Sequence, residues 1–169
     1  KLIQVEGLSY AIGERALFRD LKFHLSPGFR MGLAGENGSG KTTLLRLLLG
    51  QLEPAAGEIR RADFLKMVYF EQQRQQIDPA LPLKRALAPE GDSVIYRGRT
   101  IHVNGWAKRF LFREEQLVQP VGSLSGGERA RVHIAKLMLE EADVLMLDEP
   151  TNDLDIPTLE VLEESLLDF

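Results

Sequence analysis

Cysteine is absent from the 169 residues, which excludes disulfides and thiolate metal sites and fits a reducing cytosol. Long apolar runs are absent too. The longest candidate, Leu44–Leu49, is broken by Arg46 and falls far short of the roughly 18 apolar residues a membrane span needs. No basic-then-apolar leader opens the chain, and a start at Lys1 on a strand-like run is read as lying downstream of the true N-terminus. There are no internal repeats and no low-complexity stretch. What remains is 44% hydrophobic and 27% charged residues, the composition of an ordinary soluble domain able to bury a core.

The net charge of −4 is unevenly spread. Residues 1–71 carry +2, residues 72–122 carry +3, and residues 123–169 carry −9. A mildly basic middle beside an acidic end suits either a surface facing a polyanion or a solvated helical lobe with ordinary charge scatter.

Apolar patterning predicts strands over Leu2–Glu6, Leu21–Leu25, Arg30–Ala34, Met67–Phe70 and Val144–Leu147. Ser26-Pro27-Gly28 reads as a turn. Helices are expected over Lys41–Leu49, closed by Gly50, over Trp106–Phe112, over Gly126–Glu141, and over Leu159–Leu167 after Pro157. Val94–Arg97 and Thr100–Val103 around Gly98 read as a hairpin. Strands alternating with helices imply an α/β domain with a largely parallel sheet. The middle segment looks inserted into it.

Three motifs carry chemistry. Gly35-Glu36-Asn37-Gly38-Ser39-Gly40-Lys41-Thr42 fits the phosphate-loop pattern G-x-x-x-x-G-K-[ST] at a predicted strand–loop–helix junction. Its glycines let backbone N–H groups turn toward phosphate oxygens, and the following helix adds positive potential at its N-terminus. Lys41 supplies a point charge for the β- and γ-phosphates, and the Thr42 hydroxyl suits Mg²⁺. Residue frequencies produce the pattern by chance about once in two hundred chains of this length. Second, the apolar strand Val144–Leu147 ends in Asp148-Glu149. Asp148 is placed to hold Mg²⁺ and Glu149 to polarise a water attacking the γ-phosphate. Third, Leu124-Ser125-Gly126-Gly127-Glu128 sets a serine and two glycines at the start of a long helix. That is either a simple helix cap or a second anion site for a partner domain's ATP.

In this order and context the motifs resemble those of the ABC ATPase family, whose phosphate loop and acidic strand are its Walker A and Walker B elements. The likeness runs from about Leu2 to Phe169. It implies a P-loop NTPase fold with an antiparallel β part at its N-terminus and an inserted, mainly helical lobe at 73–122, the ATPase core being 1–72 and 123–169. It implies ATP and Mg²⁺ as cofactors, with Gly35, Asn37, Gly38, Ser39, Gly40, Lys41, Thr42 and Thr43 on the nucleotide, and Thr42, Gln72 and Asp148 on the metal. Glu149 and Gln72 then become the catalytic pair, Gln72 sensing Mg²⁺ and the attacking water. The signature residues Ser125, Gly126 and Gly127 meet ATP held by a second ABC domain, head to tail. Thr151-Asn152-Asp153-Leu154-Asp155 matches the loop linking the two composite sites. The family's adenine-stacking aromatic is replaced by Ile12. Tyr10 would share its face and serves either adenine or the core. The family's switch histidine is expected beyond residue 169, since His24, His102 and His133 stand in the wrong context.

Glu128-Arg129-Ala130-Arg131 and Thr151-Asn152-Asp153 are more similar to the ABC-F class than to transporter motors. The hairpin and the run Trp106–Phe112 are similar to the second ATPase domain of its Uup-like branch. The resemblance implies a cytoplasmic ATPase without direct membrane insertion, acting on the ribosome or on nucleic acid. A transporter ATP-binding subunit and an ATP-binding module without turnover are the competing readings.

Overall fold

The computed structural model describes residues 1–71 and 76–169, which fall into two compact units. The first comprises Lys1–Tyr69 and Ala142–Asp148. Its β1 (Ile3–Ile12) and β2 (Arg15–Leu25) form an antiparallel hairpin closed at Gly13-Glu14. Both strands outrun their predicted cores because each residue added to one ladder is paired by the other. Helix α1 (Lys41–Leu49) has the predicted bounds, with Leu44, Leu45, Leu47 and Leu48 buried. Gly50 ends it at φ 77°, donating its N–H to the Leu47 carbonyl.

Strand β3 (Ala56–Arg61) pairs antiparallel with the other edge of β1, giving the order β2-β1-β3. Patterning does not foretell it, because AGEIRR holds only Ile59 as a large apolar residue. Arg61 donates to the carbonyls of Leu48 (2.7 Å) and Leu47 (2.8 Å), a cation on the negative end of α1. Strand β4 (Met67–Glu71) lies parallel to a strand formed by Val144–Asp148, against which α1 packs.

The predicted strand Arg30–Ala34 does not form. The segment joins no ladder among the described residues. Met31 is 40% exposed and Phe29 58%. An apolar run specifies burial, whereas strand structure also requires a neighbouring backbone to pair with.

The second unit comprises Phe70–Glu141 and Glu149–Phe169. After α2 (Leu83–Leu87), strands β5 (Ser93–Tyr96) and β6 (Arg99–His102) pair antiparallel. The hairpin expected there is present, with a two-residue turn at Arg97-Gly98. Both turn residues have positive φ, 50° and 72°, as the twist of paired strands demands. Helix α3 (Val103–Arg109) begins three residues before the predicted Trp106, because His102 caps it by accepting from the Asn104 N–H. Two 3₁₀ turns, Glu114–Val118 and Val121–Ser123, lead into α4 (Gly126–Leu137). That helix stops short of the predicted Glu141, its end closed by i→i+3 bonds from Leu139 and Glu140. The acidic strand, Val144–Asp148, is β7. Helix α5 (Ile156–Leu167) starts before the predicted Leu159, since Pro157 is tolerated in a first turn.

Trp106 is the centre of this unit. It is 1% exposed, tilts against Tyr96 (4.8 Å) and Phe110 (5.1 Å), and donates Nε1–H to the Ala135 carbonyl. No helix among the described residues is long and apolar enough to cross a membrane.

Candidate functional site

The phosphate-loop residues lie between segment 30–34 and α1. Gly40, the helix N-cap, has φ 104°, a conformation that L side chains rarely adopt, and an added Cβ would lie 2.9 Å from the Phe18 ring. Ser39 N–H donates to the Glu36 carbonyl, curling the loop. Gly35, Glu36, Asn37 and Gly38 are exposed, and no acidic residue stands in the first turn of α1. The positive end of the helix dipole there suits an anion. Lys41 folds back, donating Nζ to the carbonyls of Gly35 (2.5 Å) and Glu36 (3.0 Å). Thr43 is half-buried on the same turn.

Asp148, at the end of β7, accepts on Oδ2 from the Thr42 hydroxyl at 2.7 Å and from the Tyr69 hydroxyl at 2.8 Å. The two residues expected to share a metal, 106 positions apart in sequence, are therefore in contact. Among the described residues no three His, Cys, Asp or Glu side chains converge. One carboxylate and one hydroxyl, both hard oxygen donors, fit Mg²⁺, which typically draws its other ligands from water and substrate phosphates. Glu149 follows at φ 48°, an uncommon backbone state for a residue other than glycine, and its Oε2 accepts from Asn152 Nδ2 at 2.7 Å.

Ser125 caps α4. Its Oγ accepts from the Glu128 N–H, and Glu128 Oε2 returns the bond by accepting from the Ser125 N–H at 2.8 Å. Gln116 donates to the other Glu128 oxygen at 2.7 Å. The Ser125 N–H, then Gln116, hold the Glu128 carboxyl below its ordinary range. Asp155 caps α5 by accepting from the Thr158 N–H, and Thr158 holds that carboxyl low as well. Gly127 lies beneath Asp155, where a Cβ would come within 2.2 Å of Oδ2. Arg131, 8% exposed, donates to the Thr158 hydroxyl at 3.3 Å and lies over the Phe112 ring.

Gln72 lies outside the described residues. Ile12 stands at the end of β1 and is 60% exposed, while Tyr10 is half-buried against the core of its unit. A register shift falls between Tyr10 and Ala11, where Leu17 of the partner strand is the extra residue. His24 is exposed on β2, His102 is a helix cap, and burial pushes the half-buried His133 down from its usual value. Residue patterns missed Tyr69 and Gln116. The S-x-x-E spacing of Ser125 and Glu128 was a readable capping signal, but nothing in sequence marks the partners from other elements.

A family model described as ABC transporter matches residues 18–152. The ATP-binding protein Uup of Caulobacter vibrioides is 43% identical over 170 residues, covering 100% of this chain and 28% of that protein. Uup of Escherichia coli is 41% identical over 163 residues, covering 96% and 26% respectively. The energy-dependent translational throttle protein EttA of Escherichia coli is 37% identical over 169 residues, covering 100% and 30%. The chain therefore spans about a quarter to a third of the length of these relatives. Among solved structures, an ABC transporter ATP-binding protein from Pyrococcus furiosus superposes with TM-score 0.72 at 21% identity, over 98% of this chain and 84% of that one. An ATP-binding subunit of an ABC transporter gives 0.68 at 23% identity, over 99% and 74%. At such identities the likeness concerns the fold.

Proposed function

The chain belongs to the ABC ATPase family, and from that premise we propose that it binds and hydrolyses ATP as one nucleotide-binding domain of an ABC-F-type protein. The observation that carries this is the Thr42–Asp148 hydrogen bond, which joins the phosphate loop to the acidic strand. The loop Gly35–Thr43 wraps the phosphates with backbone N–H groups, and Lys41 exchanges its two carbonyl partners for phosphate oxygens. Thr42 and Asp148, with Gln72, would hold Mg²⁺, which would neutralise phosphate charge. Glu149 orients the attacking water and accepts its proton. Ile12 lies against the adenine.

The rest of the proposal needs a second ABC domain. Ser125 and the helix start at Gly126-Gly127 present a hydroxyl and N–H groups to ATP on the partner's loop, in a head-to-tail sandwich. ATP holds the pair closed, and hydrolysis opens it. The motion would act on a ribosome or nucleic acid in the cytoplasm. Likeness over the full chain to Uup, and to a protein named a translational throttle, supports that direction over a transporter motor.

Lys41→Ala tests the site. Losing a charge-assisted contact worth about 1.5–3 kcal/mol should weaken ATP binding at least about tenfold by calorimetry. Unchanged affinity rejects the assignment. For the wider role, parent protein carrying Glu149→Gln should co-sediment with ribosomes or bind nucleic acid in ATP, and less so as salt rises. Recovery in a detergent-extracted membrane complex instead would keep the ATPase and overturn the class.

A further inference from the structure

Asp148 is 8% exposed, and a carboxylate so far out of water needs donors. Two hydroxyls supply them, Thr42 Oγ1 and Tyr69 Oη, both on Oδ2. The Thr42 bond belongs to the phosphate-loop machinery. The Tyr69 bond comes from a different element, β4, which runs beside β7.

We propose that Tyr69 is a positioning residue for the magnesium site: its hydroxyl fixes the Asp148 carboxylate in the orientation from which Asp148 and Thr42 receive the cation that accompanies nucleotide. This rests on the reading of Thr42 and Asp148 as metal holders. The two donors have different tasks. Thr42 has to offer an oxygen lone pair to a cation while its hydrogen stays on Asp148, so it serves two partners once the site fills. Tyr69 offers no such ligand role and is anchored elsewhere, its ring packed against the apolar core of the first unit. It is the fixed donor of the pair. A Phe there would leave the carboxylate oriented, among the described residues, only by the group it shares with the metal. Outer partners of metal-binding carboxylates typically contribute about 10–100-fold in metal affinity.

The plain structural account is that Tyr69 fills the core and its hydroxyl is merely satisfied. The two accounts differ in their magnesium dependence. Binding of a fluorescent ATP analogue to the chain is titrated with Mg²⁺ and repeated in EDTA, for wild type, Tyr69→Phe and Tyr69→Leu. The Phe variant keeps the ring, so its melting temperature and nucleotide affinity in EDTA should match wild type. Its Mg²⁺ midpoint should rise about tenfold. The Leu variant should melt lower yet show the same rise, because both lack the hydroxyl. A Phe midpoint within twofold of wild type overturns the proposal, as does an equal loss of affinity in Mg²⁺ and EDTA. So does a shifted midpoint in the Leu variant alone. If wild type itself shows no magnesium-dependent nucleotide binding, the metal-site reading falls and this inference with it.

Discussion

Asn152 donates its side-chain amide to the carboxylate of Glu149 across 2.7 Å, within a turn that also joins the Asn152 N–H to the Glu149 carbonyl. The turn holds two non-glycine residues at positive φ, Glu149 at 48° and Asp153 at 58°. A carboxylate next to the acidic strand is thus aimed by the loop that follows it. Asn152→Ala should leave ATP affinity unchanged and lower turnover about three- to tenfold, as expected for loss of one exposed hydrogen bond to a charged group. Glu149→Gln should abolish turnover while keeping ATP bound. Steady-state hydrolysis by parent protein, with calorimetry for binding, separates the two, and an unchanged Asn152→Ala rate would show that the contact does not aim the carboxylate.

Gly127 offers a test whose sign is opposite to helix propensity. Alanine is favoured over glycine within a helix by about 1 kcal/mol. Here its Cβ would come within 2.2 Å of Asp155 Oδ2 and push the cap off α5. Gly127→Ala is expected to destabilise the chain by about 0.5–2 kcal/mol in urea denaturation, the usual loss of an N-cap. A stabilised variant would mean that Asp155 moves aside at no cost.

The capping box predicts a pH dependence. The Ser125 N–H and Gln116 hold the folded Glu128 carboxyl below its ordinary value of 4.5. A depressed carboxyl adds stability that is complete above its unfolded value and is lost as pH falls through the folded one. The advantage of wild type over Glu128→Gln should therefore be full at neutral pH and shrink steadily below 4.5. Urea midpoints for both proteins across that range measure it. A constant difference would show that shape rather than charge is the contribution.

Trp106→Ala should cost about 3–5 kcal/mol, because a buried aromatic leaves a cavity its neighbours cannot close. Trp106→Phe, which keeps a ring against Tyr96 and Phe110, should cost less. Since this is the single tryptophan, circular dichroism rather than fluorescence follows the unfolding. Equal losses in both variants would shift the weight from the ring stack to the bond with Ala135.

Sequence alone determined what depends on neighbours along the chain. Helix α1 and its glycine stop, the hairpin around Gly98, the phosphate loop and the acidic strand end are short-range patterns, set by backbone torsions and side-chain periodicity. The tertiary structure decided what depends on partners far away in the chain. Whether Arg30–Ala34 is a strand turns on a second backbone to pair with, and patterning could not supply one. Strand β3, nearly without apolar residues, exists because β1 has a free edge for it. Tyr69 joins Asp148 through the pairing of β4 with β7, and Gln116 meets Glu128 because a 3₁₀ turn brings it to the cap. A hydrogen bond needs its partners within about 3 Å, and only the folded chain brings residues 69 and 148 that close.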